Sequence, residues 1–241
     1  MHFLLATIYY LFTLIAMCTF GLGYMLWCGL HGRWQDSTYI CKVHFSFLFK
    51  LLGITLKVEG LENVPKENGF VMISNHQSFI DTNIFWHSIR PTAFIAKASL
   101  WKPPLFGWIL TRIGCIPVNK NPRQNAGMGN LVADRLSKGY NIVVFPEGHR
   151  SGDGHMFKFQ NGIFRMAKEH HFSILPITLV NAGNCLPKSK WALYPQEIKV
   201  VIHPLVKAED YADKPMADLR DELHDLIESV MPYKQTDVKE A

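Results

Sequence analysis

The sequence predicts a single α/β domain with a mixed, mostly parallel sheet flanked by helices, preceded by an apolar membrane-anchoring helix or helical hairpin. Three observations carry this. Short β-branched and aromatic runs alternate with longer helical stretches from residue 54 onward, the pattern of strands joined by crossover helices. All 25 basic and 20 acidic side chains lie after Gly32, so the remaining 209 residues are about 22% charged, an ordinary value for a globular domain. The first 32 residues are apolar and uncharged. Residues 1–53 are therefore assigned to a membrane-associating segment, 54–233 to the α/β domain and 234–241 to a polar tail. About 200 residues suffice for one sizeable core. The charge distribution excludes an extended disordered chain and a multi-pass transporter.

The uncharged stretch 3–30 would reach roughly 42 Å as one helix, against about 30 Å of hydrocarbon. It lacks the basic start and small-residue cleavage site of a secretory signal, so it is read as retained. Arg33, Lys42, Lys50 and Lys57 follow against a lone Asp36, which places the downstream domain on the cytoplasmic face of a membrane. Tyr9, Tyr10, Tyr24, Trp27 and Trp34 suit headgroup level. Residues 38–53 form an amphipathic stretch that fits either an interfacial helix or a core helix. The segment 3–30 either crosses the bilayer or bends near residues 21–23 and pairs with 38–53 as a hairpin in one leaflet.

Within the domain, strands are expected at 54–58, 70–74, 93–96, 115–118, 141–145, 174–180 and 199–206, and helices at 78–89, 104–113, 122–138, 161–170 and 216–231. Pro122 and Gly139 bracket the third helix. Leu219, Leu223, Leu226, Ile227 and Val230 give the last one an apolar face. Cys18, Cys28, Cys41, Cys115 and Cys185 form no metal-ligand or disulfide spacing and are read as buried thiols of a reducing compartment.

Two polar groups follow strands, where reacting groups of such sheets collect. After 70–74 come Asn75, His76, Gln77, Ser78 and Asp81. Ser78 as N-cap would place Asp81 on the first turn, where its carboxylate can orient His76 and leave the other ring nitrogen to accept a proton. A Ser-x-x-Asp capping box explains Asp81 equally well. His31 and Asp36 repeat the spacing without a strand behind them. The second group, Phe145-Pro146-Glu147-Gly148-His149-Arg150-Ser151, offers a planar guanidinium for a phosphate and a glycine for close backbone approach. A surface Glu–Arg pair would look the same. Between them, residues 97–120 are apolar and aromatic with Lys97, Lys102, Arg112 and Lys120 at intervals, which fits either an acyl groove or a plain core.

In order, these blocks resemble the lysophosphatidate acyltransferase family: Asn-His-x4-Asp at 75–81, Lys-x-x-Leu with Pro-x-x-Gly at 97–107, Gly-x-Ile-x-Val at 114–118 leading to Lys120, Phe-Pro-Glu-Gly-x-Arg-Ser at 145–151, and a Leu-Pro-Ile strand at Pro176. The resemblance covers about residues 70–180. It implies that His76 is a general base partnered by Asp81, and that Glu147, Gly148 and Arg150, with Lys97 and Lys120, bind substrate. The chain departs from the family pattern at Ser99, where Glu is common, at Lys120, where Arg is common, and at His149, where Thr is common.

The implied reaction moves a fatty acyl group from acyl-CoA or acyl carrier protein to the free hydroxyl of lysophosphatidate, with Lys97 or backbone N–H groups near Gly148 facing the oxyanion. Neither metal nor cofactor is implied beyond the acyl donor. The implied partners are the lysophospholipid, the acyl thioester, the bilayer and an acyl carrier protein, with no nucleic acid. A sister acyltransferase for glycerol 3-phosphate or another lysolipid, a serine hydrolase and a non-catalytic lipid-binding protein are the rivals. The absence of a Gly-x-Ser-x-Gly elbow speaks against the hydrolase.

Overall fold

The computed structural model describes residues 1–16, 22–32, 39–88, 92–152 and 154–233. Residues 17–21, 33–38 and the polar tail therefore lie outside the described part, with the bend expected near Gly21, Trp34, Arg33 and Asp36.

Among the described residues seven strands form one sheet in the order β1-β7-β6-β2-β5-β3-β4. They are β1 (Thr55–Glu59), β2 (Val71–Ser74), β3 (Thr92–Lys97), β4 (Ile116–Val118), β5 (Asn141–Val144), β6 (Ile174–Val180) and β7 (Glu197–Ile202). All pairings are parallel except β6 with β7, so the mixed, mostly parallel sheet is as expected. The central strands are apolar on both faces, as a sheet covered twice demands: β2 and β6 are buried throughout.

The helices are α1 (His2–Ala16), α2 (Leu22–Leu30), α3 (Tyr39–Leu51), α4 (Ile80–Ser88), α5 (Pro104–Arg112), α6 (Met128–Ser137), α7 (Gly162–His170), the single turn α8 (Ala182–Cys185) and α9 (Met216–Glu228). Strand β2 connects rightward to β3 through α4, whereas β5 connects leftward to β6 through α7. Right-handed crossovers put those helices on opposite faces. Accordingly α3 packs on α4, and α6 and α9 pack on α7. Adjacent strands whose connections leave in opposite directions open a crevice at their carboxyl ends. Here that crevice lies between β2 and β5.

The helix expected at 122–138 is two elements. A 3-10 turn at Pro122–Asn125 precedes α6, and Gly127 between them has φ 77°. The break has a cause in Asn125, whose side chain accepts from the Asn119 N–H at 2.8 Å and donates to the Asn119 carbonyl at 3.0 Å, holding the turn against the end of β4. The last strand ends at Ile202 rather than 206. Beyond it only a lone bridge joins Val206 to Ile174.

The N-terminal segment packs on the domain. Tyr9 of α1 is fully buried against Asn83 of α4, and Trp191 donates to Thr7 Oγ1 at 3.0 Å. Helix α3 buries Phe45, Leu48 and Phe49 in the common core and lies beside α1 through Phe12 and His44. Its other face exposes Val43, Phe47 and Leu51, while α1 exposes Phe3, Leu4, Leu11, Leu14 and Ile15. At 15 residues α1 is about 22 Å long, short of a bilayer core. Among the described residues no helix is long and apolar enough to cross a membrane.

Burial pushes the thiols of Cys41, Cys115 and Cys185 up to about 12, so they stay protonated. His203 gives the core a pH dependence. The Thr178 hydroxyl donates to the Ile227 carbonyl at 2.9 Å, so the His203 Nε2 at 2.9 Å must carry the proton that binds Thr178. Burial holds its pKa below the usual 6.5, because charge is disfavoured there. The neutral ring therefore contributes stability that is present above pH 6.5 and is lost as pH falls toward the folded-state value. Urea midpoints are expected to fall below that pH, and less so in His203→Gln.

Candidate active site

The parallel register of β2 and β5, with Val71 opposite Ile142 and Ile73 opposite Val144, brings two sequence-distant polar loops side by side. Asn75 at the end of β2 is fully buried and gripped by β6: its Nδ2 donates to the Leu179 carbonyl at 2.9 Å and its Oδ1 accepts from the Leu179 N–H at 2.8 Å. That fixes the point at which His76 leaves the sheet. His76 Nδ1 then lies 2.7 Å from Asp81 Oδ2. The same oxygen accepts from the N–H groups of Gln77 at 2.8 Å and Ser78 at 2.9 Å, so Asp81 both caps the start of α4 and orients the imidazole. The capping and orienting explanations of Asp81 hold together. Ser78 assists from α4's N-terminus, accepting from the Ile80 N–H at 3.3 Å and donating to the Leu186 carbonyl at 2.7 Å.

With Nδ1–H pointing at a carboxylate, Nε2 is the ring's proton acceptor. The ring stacks on Phe145 at 4.1 Å, which restricts its rotation. Its side chain is 18% exposed, whereas Asp81 is fully buried.

The second loop is bonded directly to the first. Glu147 Oε1 accepts the His76 N–H at 2.7 Å and Oε2 the Phe157 N–H at 2.8 Å, while the Ser151 N–H donates to the His76 carbonyl at 2.9 Å. Glu147 is 1% exposed. The structure thus places it behind the site as a clamp on the histidine loop, away from the cavity surface where a substrate-binding role had been expected. Gly148 turns the chain with φ 75°, and its N–H is engaged with the Phe145 carbonyl at 3.0 Å. Of the expected oxyanion partners, the N–H of Gly148 itself is therefore already engaged, while Lys97 lies in the cavity lining.

His76, Lys97, Gly148 and Arg150 line one cavity of about 340 Å³, whose other walls include Phe94, Ile95, Val118, Ile163 and Met166. Arg150 also acts on Tyr10 of α1, whose phenol burial pushes upward while the guanidinium pulls it back. Lys120 does not join them. It is exposed in the loop that the Asn119–Asn125 pair holds at the end of β4. Sequence reasoning gave no role to Asn75 or Phe145, although a buried asparagine at a strand end is itself a signal that the loop needs a backbone anchor. Among the described residues the carboxylates and imidazole close enough to share an ion are His224, Asp225 and Glu228, exposed or half-buried on α9 and absent from the cavity lining.

An open α/β sheet with a histidine–carboxylate pair and cations around an apolar cavity has a recognisable parentage: the chain belongs to the Acyltransferase family, which it matches over residues 55–180. Among its relatives, it is 36% identical to a 1-acyl-sn-glycerol-3-phosphate acyltransferase of Pseudomonas aeruginosa, covering 69% of this chain and 65% of that one. It is 30% identical to the Borreliella burgdorferi protein of the same name, over 75% of this chain and 74% of the relative, and 33% identical to a chloroplastic counterpart of Arabidopsis thaliana, over 61% and 42%. The chain thus spans less than two thirds of the Arabidopsis and Pseudomonas relatives. In three dimensions it is similar to the crystal structure of the 1-acyl-sn-glycerophosphate acyltransferase PlsC from Thermotoga maritima, with TM-score 0.78 and 25% identity over 93% of this chain and 92% of that one.

Proposed function

We propose that the protein transfers a fatty acyl group from a thioester donor, acyl-CoA or acyl carrier protein, to the free hydroxyl of lysophosphatidate, forming phosphatidate. The observation that carries this reading is the His76–Asp81 pair at 2.7 Å, at the wall of an apolar cavity that also presents Arg150 and Lys97. His76 Nε2 takes the hydroxyl proton as that oxygen attacks the thioester carbonyl. The tetrahedral oxyanion is stabilised by Lys97, and its collapse breaks the carbon–sulfur bond. The proton on His76 then passes to the departing thiolate. Asp81 steadies the imidazolium in between. Arg150 offers the acceptor's phosphate a bidentate grip. The names carried by the bacterial and plant relatives support the acceptor.

The exposed apolar side chains of α1 and α3 support a membrane-bound enzyme, with these helices sunk in the cytoplasmic leaflet and the cavity at its surface. One substrate and the product reside in that leaflet, so anchoring concentrates the encounter.

The test supplies detergent-solubilised protein with a labelled acyl donor and, separately, lysophosphatidate, glycerol 3-phosphate and neutral lysolipids. Label is expected in phosphatidate, with Arg150→Ala raising the KM for lysophosphatidate more than that for the donor. Preferential labelling of another acceptor would transfer the protein to a sister activity.

A further inference from the structure

The two loops that wall the catalytic cavity also wall a second one. Gln77 follows His76 and Ser151 follows Arg150; the earlier residue of each pair lines the first cavity, and the later lines a separate space of about 530 Å³. His76 is absent from it, so it is a place to bind rather than to react. Its lining is cationic. Lys188 and Lys190 stand there with His155 and Asn184, and among the described lining residues there is no carboxylate. Lys188 Nζ donates to the Arg150 carbonyl at 2.9 Å, which uses one of an ammonium's three donors. Ser151, 2% exposed, adds a hydroxyl that makes no hydrogen bond to the described residues. Buried polar groups are nearly always paired, so an unpaired hydroxyl on a residue that lines a cavity points to a partner outside the chain.

An anion with several acceptor oxygens fits this lining, and the surroundings say which. The segment that carries both lysines also holds the start of α1. The Leu193 N–H donates to the His2 carbonyl at 3.0 Å, the His2 ring packs on Tyr194 at 4.4 Å, and Tyr194 lines the cavity. Next to these contacts Met1, Phe3 and Leu4 are more than half exposed, as is Trp191 beside Lys190. Cations beside outward apolar side chains suit a phosphate that carries acyl chains, its charge met by the lysines and its chains by α1. We propose, on the membrane seating of α1 given above and independently of the transfer chemistry, that this second cavity binds the phosphate headgroup of an anionic bilayer lipid, distinct from the acceptor beside His76. Because Lys188 holds the Arg150 carbonyl, a lipid phosphate on that ammonium is one side chain away from the loop that presents Arg150 to the catalytic cavity.

Binding is measured by titration calorimetry on the full-length protein in neutral detergent. An Arg150→Ala background removes the phosphate grip of the catalytic cavity but keeps the carbonyl that Lys188 uses. The probes are dodecyl phosphate, inorganic phosphate and CoA. Dodecyl phosphate is expected to bind at a single site, and Lys188→Gln with Lys190→Gln to raise its Kd about tenfold or more, the size of a lost charge-assisted hydrogen bond. Both lysines are exposed, so the melting temperature should hold, and Lys188→Arg with Lys190→Arg should retain binding. Inorganic phosphate should bind far more weakly than dodecyl phosphate. A Kd unmoved by the Gln pair, or no binding of dodecyl phosphate at all, would overturn the site. Lysine-dependent binding of CoA tighter than that of dodecyl phosphate would give the cavity to the donor. Inorganic phosphate binding as tightly as dodecyl phosphate would remove the lipid. Flotation of wild type with neutral phosphatidylcholine vesicles keeps the two readings apart: no flotation would refute the membrane seating, whereas flotation with an unmoved Kd in the Gln pair would refute the headgroup site alone.

Discussion

Replacing His76 with Ala is expected to lower kcat by about 10²–10⁴-fold, the usual contribution of a general base, while binding of lysophosphatidate and the melting temperature stay close to wild type. The fold should tolerate the change because Asp81 Oδ2 retains the Gln77 and Ser78 N–H groups when the imidazole is gone. The contrast with Asp81 sharpens the test. Asp81→Ala would strip the cap from α4 and leave those two N–H groups buried without their acceptor, a loss of about 1–3 kcal/mol for each orphaned donor. Its activity and its urea midpoint should therefore fall together. A His76→Ala protein that turns over at the wild-type rate would remove the ring from the chemistry.

Glu147→Gln is the second large effect, and its signature separates a clamp from a substrate ligand. Both carboxylate oxygens accept backbone N–H groups, one from His76 and one from Phe157. A glutamine has one oxygen and one NH2, so it can satisfy one donor and must present its own hydrogens to the other. Losing a hydrogen bond to a buried charge costs about 1.5–3 kcal/mol, so the urea midpoint should drop measurably. The N–H released at the His76 end would loosen the ring by a fraction of an ångström or more, and misplacement of that order can cost about 10²-fold in rate. The expected pattern is a lower kcat and lower stability with the KM for lysophosphatidate little changed. A raised KM at unaltered stability would instead make Glu147 a ligand of the acceptor.

That difference shows where sequence reasoning reached and where it stopped. Strand β6 was legible residue for residue because Ile174–Val180 is apolar at every position but Thr178, and a strand covered on both faces needs nearly that pattern. The His76–Asp81 pairing was legible as well, since both partners sit on one short segment between a strand and a helix. Glu147 was not. The sequence suggested a surface pair with Arg150 or a substrate contact, whereas both of its oxygens accept backbone N–H groups, one of them 71 residues away, and the β2–β5 register brings that one within reach. The helix at 122–138 misled for a related reason. Proline before it and glycine after it fit a single element, but the Asn119–Asn125 bonds depend on side-chain geometry that periodicity does not encode. Lys97 and Lys120 were indistinguishable by type, and it is the end of β3 that turns one of them toward the cavity.

The N-terminal segment illustrates the same limit from the other side. Its lack of charge is compatible with burial in protein, in lipid, or in both. The structure divides it by residue: Ala6 and Tyr9 belong to the core, while Phe3, Leu4, Leu11, Leu14 and Ile15 face outward from the same helix. A helix that docks on α4 through Tyr9 and offers an apolar face outward joins the site to whatever that face meets.

Direct transfer with His76 as base can be separated from a covalent route by exposing the protein to labelled acyl-CoA without any acceptor and then measuring thiol release and the intact mass. No stoichiometric burst of thiol and no acyl adduct are expected, with turnover starting only when lysophosphatidate is added. A burst equal to the enzyme concentration, with the acyl mass found on a serine or cysteine of the chain, would contradict direct transfer.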